Sequence, residues 1–141
     1  MSSSSGADPK KVLEELFGTS KYVIGMVHLL ALPGSPKWAG QMAKVLERAV
    51  ADARALEGGG ADGLMVENFG DVPFRKGRVE AHTVSAMTLA VMAVREAVGI
   101  PVGVNVLRND IRSAIAIASV TDCQFVRANV HTGAMLTDQG I

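Results

Sequence analysis

Four short apolar runs in this chain turn polar as they end. YVIGMVH closes on His28, DGLMVEN on Glu67 and Asn68, PVGVNV carries Asn105 and leads into Arg108, Asn109 and Asp110, and QFVRANV carries Arg127 and Asn129. A carboxylate directly after Leu64-Met65-Val66 is costly to bury without a partner. Glu67 therefore reads either as a general base or as half of an internal ion pair with Arg127. His28 reads as an acid or base, or as a strand-end histidine tied to a carboxylate. Asn105 and Asn129 can orient a substrate by hydrogen bonds or simply satisfy Glu67 and each other. Arg127 and His131 offer contacts for an anion, or serve to neutralise Glu67 and to meet solvent; Arg108 sits on the rim, and Asn109 or Asp110 can cap a following helix. Glu67, His28 and Asp110 would meet at a metal only if the fold gathers them. No motif such as H-E-x-x-H fixes that spacing, so no metal is expected.

The elements that must position these residues alternate in type. Met42, Val45, Leu46, Ala49, Ala53 and Leu56 recur at helical spacing, as do Val84, Met87, Val91, Val94 and Val98. A shorter helix from Asn109 or Asp110 to about Val120 carries Ile111, Ala114, Ile115 and Ala118 on one side. The order β-α-β-α-β-α-β predicts parallel strands joined by right-handed crossovers. Side-chain parity then separates two faces in each strand. Val102, Val104 and Val106 oppose Gly103 and Asn105; Leu64 and Val66 oppose Gly63, Met65 and Glu67; Phe125, Arg127 and Asn129 oppose Val126, Ala128 and Val130. One face is small or apolar throughout, and the other becomes polar toward the C-terminal end. That asymmetry favours a barrel, with helices outside and polar groups at the top of the interior, over an open sheet covered on both sides. The fold class is thus α/β, with parallel β/α repeats forming the N-terminal half of a (β/α)8 barrel.

A full barrel has eight such units, and four strands are legible here. The expectation is a chain truncated relative to a complete barrel, or a half-barrel that pairs with a second copy as a homo-oligomer. Residues 1–21 read as a Ser-rich tail and a short helix, Pro9–Phe17 capped by Asp8; residues 22–141 read as the partial barrel. Zero formal net charge, without a basic stripe interleaved with aromatics, argues against nucleic acid. There is no run long and apolar enough for a membrane span. A single cysteine, Cys123, fits a reducing, cytoplasmic setting. Gly58-Gly59-Gly60 precedes a strand and so lies at the bottom of the sheet, away from any ligand. The segments after the first two strands are long for such connections and hold Ser35, Trp38, Asp71, Arg75 and His82. Trp38, Phe69 and Phe74 on them are candidate partner contacts.

Several stretches together resemble one family. IGMVHLLALPGSP, GGADGLMVENFGDVPF, PVGVNVLRNDIRSAIAIA and FVRANVHTGAMLTDQGI are similar to the strand and loop regions of the BtpA/SgcQ family. The resemblance implies a TIM-barrel-like fold grouped with the ribulose-phosphate-binding barrels. It also implies a link either to photosystem I biogenesis or to carbohydrate-related metabolism, without a settled reaction or a known cofactor. On that reading His28 and Glu67 are the acid/base candidates. Asn68, Asn105, Arg108, Asn109, Asp110, Arg127 and Asn129 are the ligand-binding candidates, facing a small polar ligand of the sugar-phosphate or nucleotide kind. The alternative is a non-catalytic assembly or stability factor.

Overall fold

The computed structural model describes residues 6–137. Asp8 accepts a hydrogen bond from the Lys10 N–H at 3.0 Å and starts helix α1, Pro9–Phe17. Then follow β1 (Ile24–His28), α2 (Met42–Gly58), β2 (Gly63–Glu67), a 3-10 turn (Phe69–Asp71), α3 (Ala81–Ala97), β3 (Val102–Asn105), α4 (Ile111–Thr121) and β4 (Phe125–Val126). The four strands form one parallel sheet in the order β1-β2-β3-β4. Each strand therefore pairs with the next in sequence across a helix, the arrangement of half a β/α barrel.

The helix-facing side is built from the residues that parity assigns to it. Val27, Leu64, Val66, Val102 and Val104 are fully buried against Ala49 and Ala53 of α2, Val91 and Val94 of α3, and Ala114 and Ile117 of α4. Each such aliphatic side chain contributes about 1.5–3 kcal/mol by leaving water. The opposite side is filled by aromatics at its lower end. Phe17 stacks on Tyr22 with ring centroids 4.5 Å apart and meets Phe125 edge-on at 5.3 Å. Gly63 and Gly103 make room for them: a Cβ would stand 2.5 Å from the Phe17 ring at the first and 2.4 Å from the Phe125 ring at the second.

Two expectations are corrected. Ile115 does not face the sheet; it is 55% exposed, and Ala114, Ile117 and Thr121 are the buried positions of α4. The stretch IRSAIAIASV is apolar at nearly every turn position, so its period is ambiguous until Asp110 fixes where the helix begins. The fourth strand is also shorter than QFVRANV suggests. After Val126 only the Arg127 N–H still reaches the Val104 carbonyl, at 3.2 Å. Beyond it, the Asn129 and Val130 N–H groups turn to Asn109 Oδ1, at 2.9 and 3.1 Å, and leave the ladder. Among the described residues, no helix is long and apolar enough to cross a membrane.

Candidate active site at the strand ends

Strand register carries the chemistry into one row. His28 pairs with Glu67 and Glu67 with Asn105, so three polar residues close three adjacent strands side by side. Glu67 is only 3% exposed. Such a carboxylate survives burial only with close donors, and it has three. The Arg127 guanidinium and the Asn105 amide both donate to Oε1, and His28 Nε2 lies 3.2 Å from Oε2. The partners are unequally buried. The His28 and Arg127 side chains are 45% and 44% exposed, so one buried anion anchors two groups that reach the mouth of the sheet. Phe69 stacks on the His28 ring, with centroids 4.3 Å apart and planes 14° from parallel. His28 is thus held by a carboxylate at one edge and an aromatic face on its side.

The network continues through the asparagines. Asn105 Nδ2 also lies 3.4 Å from Asn129 Oδ1, and Asn129 Nδ2 donates to the Arg108 carbonyl. Asn109 ties the same turn down, donating from Nδ2 to the Val130 carbonyl at 2.9 Å. The Arg108 guanidinium lies 4.9 Å over the Phe74 ring. Asn105 Oδ1 is a buried acceptor without a hydrogen-bond partner among the described residues. Above this network opens a cavity of about 400 Å³, with Glu67 in its floor, Phe69, Phe74 and Leu107 in its walls, and Arg108, Arg127 and Asn129 toward its rim.

Seven of the nine candidate residues thus come together: His28, Glu67, Asn105, Arg127 and Asn129 directly, with Arg108 and Asn109 around them. Two go elsewhere. Asn68 clamps the chain after β3 beside the neighbouring cavity: its Oδ1 accepts the Leu107 N–H at 2.7 Å and its Nδ2 reaches Asp71 at 3.2 Å. Asp110 caps α4, accepting from the Ser113 N–H at 3.0 Å and the Ser113 hydroxyl at 2.7 Å. It also takes the Val79 N–H at 2.9 Å. Burial alone would raise its pKa, but these donors and the nearby Arg78 charge outweigh it and hold the carboxyl below its ordinary value. Asp110 therefore does not join His28 and Glu67. Among the described residues no group of three or more His, Cys, Asp and Glu side chains gathers in a way that could hold a metal ion. Of the aromatic partner candidates only Phe69 is open, at 48%; Phe74 is buried, and Trp38 packs against the core.

A BtpA family profile matches residues 19–141. The chain belongs to the BtpA family. It is 54% identical over 129 residues to the photosystem I biogenesis protein BtpA of Synechocystis, covering 92% of this chain and 45% of that protein. It is 44% identical to an uncharacterized protein of Pyrococcus furiosus, covering 92% of this chain and 49% of that one. It is 37% identical to the putative sgc region protein SgcQ of Escherichia coli, covering 92% of this chain and 48% of that protein. The chain thus spans about half the length of the curated relatives it matches. No solved structure gives a significant match. In this BtpA-family chain the strand-end network lies wholly inside the matched span.

The residues that sequence reasoning left without a role lie on the two long loops. Asp71 accepts the Leu32 N–H at 2.8 Å and the Asn68 amide, and burial raises its pKa despite these donors, Ser35 and the His82 charge. Its loop was legible as unusually long; its burial was not. Thr83, which lines the same region, carried no signal at all.

Proposed function

We propose that the strand ends bind, and in the complete relatives convert, a small polar metabolite bearing an anionic group. The observation that carries this reading is the buried Glu67 holding both His28 and Arg127 at the strand ends, with Arg127 lining the cavity there. In this reading Glu67 is a positioning residue. It takes the His28 Nε2–H, which leaves Nδ1 as the nitrogen that accepts or returns a proton. Arg127 contacts the anionic group, with Arg108 at the rim. Asn129 orients the remainder, while Asn105, buried beneath it, helps hold the Glu67 carboxylate in place. A cavity of about 400 Å³ suits a ligand of sugar-phosphate size.

Thermal-shift screening of sugar phosphates and nucleotides on a full-length relative, with its matching His and Glu replaced by Asn and Gln, tests this. A ligand that stabilises the parent but not the Glu→Gln variant supports it. If none stabilises the parent, and both variants only alter folding, the reading fails.

A second reading has its own support. The relative from Synechocystis is named for photosystem I biogenesis, and Leu30, Phe69 and Val72 are 44%, 48% and 42% exposed on the same end of the sheet. A protein partner docking there would be lost with Phe69→Ala and kept with Glu67→Gln.

A further inference from the structure

A second cavity, of about 280 Å³, lies beside the strand-end site, walled off from it by Phe74 and Leu107, which line both. It sits between the β1–α2 loop, the β2–α3 loop and the first turn of α3. Three features of this turn fit together. First, the start of α3 is uncapped. Glu80 occupies the cap position without a side-chain hydrogen bond to the helix and instead meets Arg75 at 2.9 Å. The N–H groups of Ala81 and His82 have no hydrogen-bond acceptor among the described residues. Second, Thr83 is only 7% exposed and lines the cavity, yet its hydroxyl has no partner among the described residues. The hydroxyls of Ser85 and Thr88 on the same helix bond back to the Ala81 and Val84 carbonyls at 3.0 and 2.8 Å, so Thr83 departs from its neighbours. With the residue nearly buried, the cavity it lines is where this hydroxyl can take a partner. Third, His82 is pressed into place by the opposite loop. Gly34 has φ +86°, and a Cβ there would lie 2.0 Å from His82 Nε2.

Helix N-termini attract oxyanions, through free N–H groups and the positive end of the helix dipole. Arg75 lines the cavity, and its loop continues with Lys76 and Arg78. The Arg75–Glu80 pair is exposed at both ends, so exchanging one carboxylate for another anion costs little. The carboxylate in the wall, Asp71, already turns its oxygens to Leu32 and Asn68.

We propose that this cavity is a second site, independent of the strand-end reading, that seats a phosphate-class oxyanion, free or as a monoester, on the first turn of α3 between Thr83, His82 and Arg75. Titration of the 141-residue chain with inorganic phosphate, and in parallel with glycerol 3-phosphate, followed by amide chemical shifts, tests it. The largest shifts are expected at Ala81, His82 and Thr83. Thr83→Val removes the hydroxyl at constant shape and should weaken binding by roughly tenfold, the worth of one hydrogen bond to a charged group. Arg75→Gln, at an exposed position, should weaken it similarly and serves where Thr83→Val folds poorly. Tighter binding of the monoester identifies an organic phosphate; equal or tighter binding of inorganic phosphate identifies the free ion, and either supports the site. Absence of shifts in this turn with both ligands, shifts confined to Arg127–Asn129, or affinity unchanged in both variants would overturn it.

Discussion

Asp110 stands between two roles, helix cap and ligand contact, and substitution separates them. Its carboxylate accepts three hydrogen bonds: two from Ser113, which start α4, and one from Val79, which ties down the long β2–α3 loop from 31 residues away. Replacement by Ala removes the cap, worth about 1 kcal/mol, and strands the Val79 N–H and the Ser113 hydroxyl at about another 1–2 kcal/mol after partial rehydration. Asp110→Ala should therefore cost about 2–3 kcal/mol in urea unfolding at neutral pH. Asp110→Asn keeps a good cap acceptor but offers one oxygen in place of two, so it should cost about half as much. The sign of the pH dependence follows from the lowered pKa in the folded state. The contribution is present above the unfolded value, near 3.8, and is lost as pH falls through the lower folded value. The gap between parent and Asp110→Ala should narrow in strongly acid solution, where the protonated carboxyl keeps one neutral acceptor. A gap below about 0.5 kcal/mol at neutral pH, inside the range of ordinary surface changes, would refute the cap. So would a gap that widens in acid.

Gly103→Ala should destabilise the chain by about 1–3 kcal/mol, because the new methyl meets the Phe125 ring, which abuts Phe17. A melting temperature equal to the parent's would show that the aromatic cluster is loose. Burial pushes the Cys123 thiol above its ordinary pKa, so less thiolate forms at mildly alkaline pH. Alkylation in the folded chain should then run slower than in the urea-unfolded chain; equal rates would count against the buried placement. Glu67→Gln should release His28 and Arg127 while leaving the helix-facing core intact. The measurable sign is faster chemical-shift averaging of the His28 ring with little change in the amide protection of Val66 and Val104.

Much of this site was legible because a strand has a period of two. Once Val102, Val104 and Val106 are placed on the helix side, Asn105 must point inward, and the same step aligns Glu67, Arg127 and Asn129. Register then did what parity cannot: it set His28, Glu67 and Asn105 in one row. The helix period failed where composition was uniform, as at Ile115 and Ile117, since both are apolar and only the cap decides which is buried. Asn68 was legible only in part. It directly follows Glu67, so proximity suggested a shared site, while the chain had already turned its side chain toward the Leu107 backbone. The interior role of Phe17 was invisible as well, because it depends on the empty space above Gly63 and Gly103, a long-range property.

The strand order β1-β2-β3-β4 also bears on how the chain assembles. Among the described residues no strand waits for a partner from far along the sequence, and α3 packs beside α2 and α4 beside α3. Such a sheet grows at one edge only, in the order in which the ribosome delivers it. In chain order His28 and Glu67 come first, Asn105 follows, and Arg127 is the last of the four. The carboxylate of Glu67 thus depends for its full set of donors on a segment 60 residues further along the chain.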